Sequence, residues 1–269
     1  TPMFGSAAAT VVVDAGSTIA ATGAGSAIRV LTDNVESAAP CTVDVKGTVI
    51  AQSGETKGAA INVAGTQKGT NGCDVTVYAG ALVSNKTGVA IQQASPGTLR
   101  LLGGEIVGMT AVYVKSGALD IPADTEVALV AHGKKSDYAK KTDFYATGDA
   151  LVIENYVGAY GKVAKSGLIA PVTDVTVAGG TFLSDNNQAI ASYPVGSAAR
   201  LVGFLSGGKW MAGDSDVALL ADGHIYVYDA DGIHFWVGEG TAVIRNTRTG
   251  REYATVSNAL ALAQAGDRL

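Results

Sequence analysis

Two cysteines, six prolines and three histidines are all that 269 residues hold of those types, and aromatics make up only 6% of the chain. So few cysteines exclude a disulfide-dense scaffold. Charged residues reach 16%, against about 25% in ordinary globular chains. The net charge of −5 excludes the basic footprint of a nucleic-acid binder. No apolar run approaches the ~18 residues of a membrane-spanning helix. No two acidic residues are adjacent anywhere in the sequence. What is abundant is glycine, 35 of 269 or about 13%, roughly double the usual ~7%. It follows no triplet period, which excludes collagen. Hydrophobic residues at 47% are enough for a sizeable core and exclude general disorder.

A loose template recurs along the chain. An alternating apolar pair is followed by Gly and a further apolar residue. After a variable stretch come Ala and a β-branched residue or Leu. The copies run Val11, Val13, Gly16, Ile19 with Ala27, Ile28, Val30; Val43, Val45, Gly47, Val49 with Ala60, Ile61, Val63; and Val75, Val77, Gly80, Leu82 with Ala90, Ile91. Next come Leu99, Leu101, Gly104, Ile106 with Ala111, Val112, Val114, and, after an interruption, Val175, Val177, Gly180, Phe182 with Ala189, Ile190. A degenerate copy runs through Leu201, Gly208, Trp210, Ala218 and Leu219. Successive copies start 32, 32 and 24 residues apart. Such periods mark solenoids, propellers or arrays, and the period-two alternation makes the elements strands. A parallel β-helix explains the composition. Each strand pairs with its equivalent about 4.8 Å away, and like residues stack in columns. Val11, Val43, Val75 and Leu99 would form one column, and Ile28, Ile61, Ile91 and Val112 another. A β-sandwich is the alternative, but it would carry more aromatics in its core. Cys41 and Cys73 are also 32 residues apart and would fall in one column, close enough for a coil-to-coil disulfide. Two free thiols packed as small hydrophobes are the other outcome.

The template blurs between residues 121 and 170. An insert at 131–149 carries Lys134, Lys135, Lys140 and Lys141 with Tyr138 and Tyr145, and is expected to project as a loop. Such loops often form the binding face of a repeat protein, so these six residues are the expected ligand-binding positions. Further on, residues 224–228 and 233–237 alternate around an Asp/Gly turn and predict a β-hairpin that closes the core. His224 and His234 would face each other there, too few for a zinc site. Residues 256–264 predict a short helix ended by Gly266.

Two segments carry a resemblance. VIRNTRTGREYATVSNALALAQAGD (243–267) and VTDVTVAGGTFLSD (172–185) are similar to repeat segments of right-handed parallel β-helix surface proteins, adhesin-like, of Gram-positive gut bacteria. The resemblance implies coils over 1–221 with the insert at 131–149, a closing hairpin at 222–238, and the start of a following unit, strand plus short helix, at 239–269. Both ends of the chain read as cut from a longer protein. The resemblance also implies a non-catalytic extracellular, cell-surface binding module. Its expected partners are a host glycoprotein, mucin or immunoglobulin, and neighbouring units of the same chain. No nucleic acid, membrane insertion, metal or cofactor is expected. The lysine-rich insert departs from the family pattern. The same fold hosts polysaccharide lyases and hydrolases, as well as phage fibres. However, glycoside hydrolysis needs two carboxylates facing one cleft, and the acids within the copies are scattered: Asp14, Asp44, Asp74, Glu105, Asp120 and Asp174. No motif surrounds a serine as a nucleophile.

Overall fold

The computed structural model describes residues 8–31, 41–52, 58–64, 72–133, 148–159, 168–169, 172–185, 188–196, 198–211 and 216–269. The protein is all-β with a large, mostly parallel sheet. Its strands are β1 (Ala9–Val13), β2 (Thr18–Ala21), β3 (Ile28–Leu31), β4 (Cys41–Val45), β5 (Thr48–Ala51), β6 (Ala59–Ala64) and β7 (Cys73–Val77). Two long bent strands follow, β8 (Leu82–Leu101) and β9 (Glu105–Ile121), then β10 (Ala128–Ala131), β11 (Leu151–Ala159), β12 (Leu168–Ile169), β13 (Val172–Val177), β14 (Thr181–Ser184), β15 (Ile190–Gly196) and β16 (Lys209–Trp210). The chain ends with β17 (His224–Tyr228), β18 (Phe235–Glu239), β19 (Ile244–Arg245), β20 (Glu252–Tyr253) and the helix α1 (Val256–Ala261).

Pairing follows the template spacing in two rows; in the third, Val83 and not Leu82 pairs with Val49 and Ile106. β1 pairs with β4 and β4 with β7, both parallel, which sets Val11 beside Val43 and Val43 beside Val75. The row continues through Leu99, Leu119 and Val175. A second row runs Ile28, Ile61, Ile91, Val112, Leu151, Ile190. A third runs Ile19, Val49, Val83, Ile106, Leu129, Phe182, Trp210. These rows line one continuous core, in which Val43, Val75, Leu99, Ile61, Ile91 and Ile106 are fully buried. Each such side chain contributes about 1.5–3 kcal/mol on burial. Alternation holds on the strand scale: in β7, Cys73, Val75 and Val77 face inward while Asp74 and Thr76 face out. The first row member, Val11, is only partly buried, because β1 has a parallel neighbour on one side alone among the described residues.

Bends between strands need special backbone. Gly104 holds φ +85° at the turn before β9, where a Cβ would lie 2.6 Å from Ala81 O. Buried amides close other bends. Asn85 Nδ2 donates to Gly58 O and Val89 O at 3.3 and 3.1 Å. Gln93 Nε2 donates to Cys73 O and Ser95 O at 3.3 and 3.0 Å. Each of these buried amides thereby ties two backbone carbonyls together across a bend.

Several expectations need correction. The described residues of 121–170, where the template blurs, carry members of two rows: Leu129 pairs with Ile106 and Leu151 with Val112. The signal was there in Ala150, Leu151 and Ile153, but its distance from Leu129 obscured it. In the last copy the core position belongs to Leu205, bridged to Val177 and Leu220, and not to Leu201. Helix α1 stops at Ala261 instead of 264, because Asp267 Oδ2 accepts the Gln264 N–H at 2.8 Å and folds the chain into a turn. Thr255 caps its start, accepting from Asn258 N at 3.2 Å. β19 and β20 form a separate two-stranded antiparallel sheet.

The hairpin β17–β18 is antiparallel, and β18 also pairs antiparallel with β16, so it docks on the end of the parallel array. Its inner face and the last row member build an aromatic cluster. Trp210 lies 5.2 Å from Phe235 in a stacked pair, 5.0 Å from Phe182 and 5.7 Å from Tyr226. His224 and His234 do not face each other: His224 is opposite Glu239. His234 instead bonds Asp231 in the turn, because that carboxylate also accepts the backbone N–H of Ile233 at 2.8 Å and of His234 at 3.0 Å. The Ile233 N–H first, then the His234 ring, hold Asp231 at about 2. A depressed value favours the folded turn above the ordinary carboxylate range, and the benefit is lost as pH falls from there through about 2. An NMR titration of the Asp231 carboxyl carbon should show its midpoint near that value; a midpoint at the ordinary Asp position would refute the turn geometry.

Candidate functional site

The six residues expected to bind ligand, Lys134, Lys135, Tyr138, Lys140, Lys141 and Tyr145, lie outside the described residues. Cys41 and Cys73 are brought together as register partners in β4 and β7. Both are free thiols, Cys73 fully buried and Cys41 partly so. A hydrogen bond between the two pulls Cys41 below the ordinary thiol value; it pushes Cys73 above it, and burial adds to that rise. Because the thiolate is the nucleophile, alkylation of the native protein should modify Cys41 and spare Cys73 until the chain unfolds. Peptide mass spectrometry reads the order directly, and equal labelling of the two would contradict it.

The outward face of β4, β7, β8 and β9 carries an exposed polar ladder. Thr42 Oγ1 donates to Thr10 Oγ1 at 2.9 Å. Tyr78, just past β7, donates to Asp44 Oδ1 at 3.1 Å, and Lys46 Nζ stands 5.3 Å from its ring centre. Desolvation first, then the Asp44 carboxylate, raise the Tyr78 phenol above its ordinary value. Arg100 Nε meets Asp120 Oδ2 at 3.0 Å, with both side chains substantially exposed. Exposed pairs of this kind stabilise by about 0–1 kcal/mol at most. Their consequence is a flat wall of hydroxyls, a phenol and charges of both signs, fixed at the strand spacing. Asp74 Oδ1 accepts the Thr98 N–H at 2.7 Å, so Asp44, Asp74 and Asp120 all gain partners that their scatter in sequence concealed.

A second assembly was not foreseen. On β9 and β11, Tyr113 donates to Glu154 Oε2, and Lys115 Nζ lies 4.6 Å from the Tyr113 ring centre. Tyr193, the register partner of Glu154, donates to Asp149 Oδ2 at 3.4 Å. Tyr113, Lys115 and Asp149 are almost fully buried and Glu154 nearly so. A carboxyl, a phenol and an amino group are thereby gathered away from solvent. Sealed as they are, they clamp β9 to β11. The only trace in sequence is Tyr113 and Lys115 at period two; their partner lies 41 residues from Tyr113, and only register reveals it.

Among the described residues, no group of three or more His, Cys, Asp or Glu could hold a metal ion. No described helix is long and apolar enough to cross a membrane. No protein-family model, curated protein or solved structure matches the chain.

Proposed function

We propose that the chain is a right-handed parallel β-helix acting as a non-catalytic extracellular binding module of a bacterial surface adhesin. It engages a host glycoprotein, mucin or immunoglobulin through its walls and loops. The observation that carries the reading is the in-register pairing of equivalent positions from β1 to β14, which makes a stiff support with flat faces. The polar ladder of Asp44, Tyr78, Arg100 and Asp120 is the recognition chemistry such a wall offers. Mucin, glycan and immunoglobulin panels probed with the purified chain test it. Saturable binding to at least one class is expected, and a chain silent on all three would end the proposal. Incubation with pectins and host glycans, followed by product analysis, checks the non-catalytic part of the reading: no cleavage is expected, and cleavage would overturn it.

A further inference from the structure

The chain has two tryptophans, and the fold puts them to opposite uses. Trp210 is 1% exposed at the centre of the aromatic cluster, whereas Trp236 on β18 is 38% exposed on the other face of the hairpin. Trp236 lies opposite Lys209 of β16 on one side and Val227 of β17 on the other. Cross-strand partners stand with Cβ atoms about 4.5–5.5 Å apart, so the indole and the ammonium stem share one patch of wall. Gly238 leaves a step beside the indole: a Cβ there would sit 3.7 Å from Trp236 Nε1 and 3.5 Å from Val227 Cγ2. Thr181 is the register partner of Lys209, and Met211, 44% exposed, lies just past the end of β16. Among the described residues neither Trp236 Nε1 nor Lys209 Nζ has a hydrogen bond or ion pair. The nearby Asp231 is already engaged by His234 and two backbone N–H groups.

We infer that Trp236, Lys209 and the Gly238 step form a subsite for an acidic pyranose, a sugar ring bearing a carboxylate or sulfate. This rests on the reading of the chain as a binding module and names one ligand class for its wall. An exposed aromatic face packs against the C–H face of a sugar, while its N–H edge serves a hydroxyl. The Lys209 ammonium, without an ion pair among the described residues, supplies the charge complement for the acid group. A neutral sugar would use the ring and leave the cation idle. A buried indole such as Trp210 offers neither edge.

The full chain is titrated with sialyllactose, a galacturonic acid oligomer, a sulfated heparin oligomer and lactose, read by tryptophan emission and calorimetry. At least one acidic sugar should shift the emission of Trp236 and bind about tenfold more tightly than lactose. The three acidic ligands distinguish sialic acid, uronate and sulfate as the source. Trp236→Ala should lose binding, Lys209→Gln should reduce the acidic ligand to the level of lactose, and Trp236→Phe should retain binding within roughly threefold. Far-UV circular dichroism controls for folding, which an exposed position should not disturb. Emission unchanged by every acidic sugar, or full binding by Trp236→Ala, overturns the subsite. If Trp236→Ala still binds a panel ligand, the subsite falls and the module reading stands. If the chain binds neither sugar nor panel protein, both fall. Binding accompanied by cleavage keeps the subsite and overturns the non-catalytic reading.

Discussion

Trp210→Ala should cost about 3–5 kcal/mol of stability, the range for deleting a buried large aromatic. It should also loosen the hairpin from the parallel array before the array itself unfolds. Trp210 ends the third core row, pairs parallel with Phe182 and antiparallel with Phe235, and touches Tyr226 edge-on. Its backbone thus pairs with both halves, and its indole packs against both. Removing the indole leaves Phe182 and Phe235 facing a void that neither can cross, because each is fixed in its strand. Tyr228, in tilted ring contact with Phe235 at 5.3 Å and Tyr253 at 6.0 Å, would transmit the loss to the C-terminal segment. Urea denaturation followed by circular dichroism, with Trp236 emission as the hairpin reporter, measures both effects. Trp236→Ala is the control and should change stability by no more than about 0.5 kcal/mol, as for ordinary surface sites. Equal losses for the two substitutions would mean that the aromatic cluster does not hold the hairpin.

Gly104→Ala should cost about 2–5 kcal/mol, and the companion Gly80→Ala only about 1–2 kcal/mol. The two glycines occupy the same template position with φ of +85° and +79°. Both substitutions pay the left-handed backbone cost of about 1–2 kcal/mol. At Gly80 nothing lies within 4 Å of the added Cβ, so nothing more is added. At Gly104 the Cβ would meet Ala81 O at 2.6 Å and Tyr78 O at 2.9 Å, so the neighbouring repeat must move. Overpacking of that kind costs about 1–3 kcal/mol more. The difference between the two variants, taken from chemical denaturation, isolates the close approach of one repeat to the next. If they are equal, the repeats are not packed at that distance.

Much of the strand content and pairing was legible because it is written in local pattern. Period-two alternation marks strands wherever one face is buried, and the 32-residue spacing sets Val11 beside Val43 and Cys41 beside Cys73 with no other information. The hairpin around Asp229 to Gly232 was legible from its turn residues. The row members Leu129 and Leu151 were not, because the insert separates them and breaks the spacing on which recognition relied. The histidines were misread for a related reason: facing positions across a hairpin depend on the turn, and Asp231 draws His234 into it.

The sequence alone determined that the chain is built of strands and which positions share the rows of Val43 and Ile61, but not the places that Val83 and Leu205 take from Leu82 and Leu201. The strands and those two rows follow from burial and backbone sterics acting over a few residues, repeated at a fixed interval. Only the tertiary structure decided that Tyr113 meets Glu154, that Tyr78 meets Asp44, and that Trp210 is buried while Trp236 is exposed. Side chains outside the repeating core rows carry no periodic mark of their partners in sequence, whether they end up exposed like Trp236 or enclosed like Tyr113. Their neighbours are set by which strands lie alongside, a property of the assembled sheet.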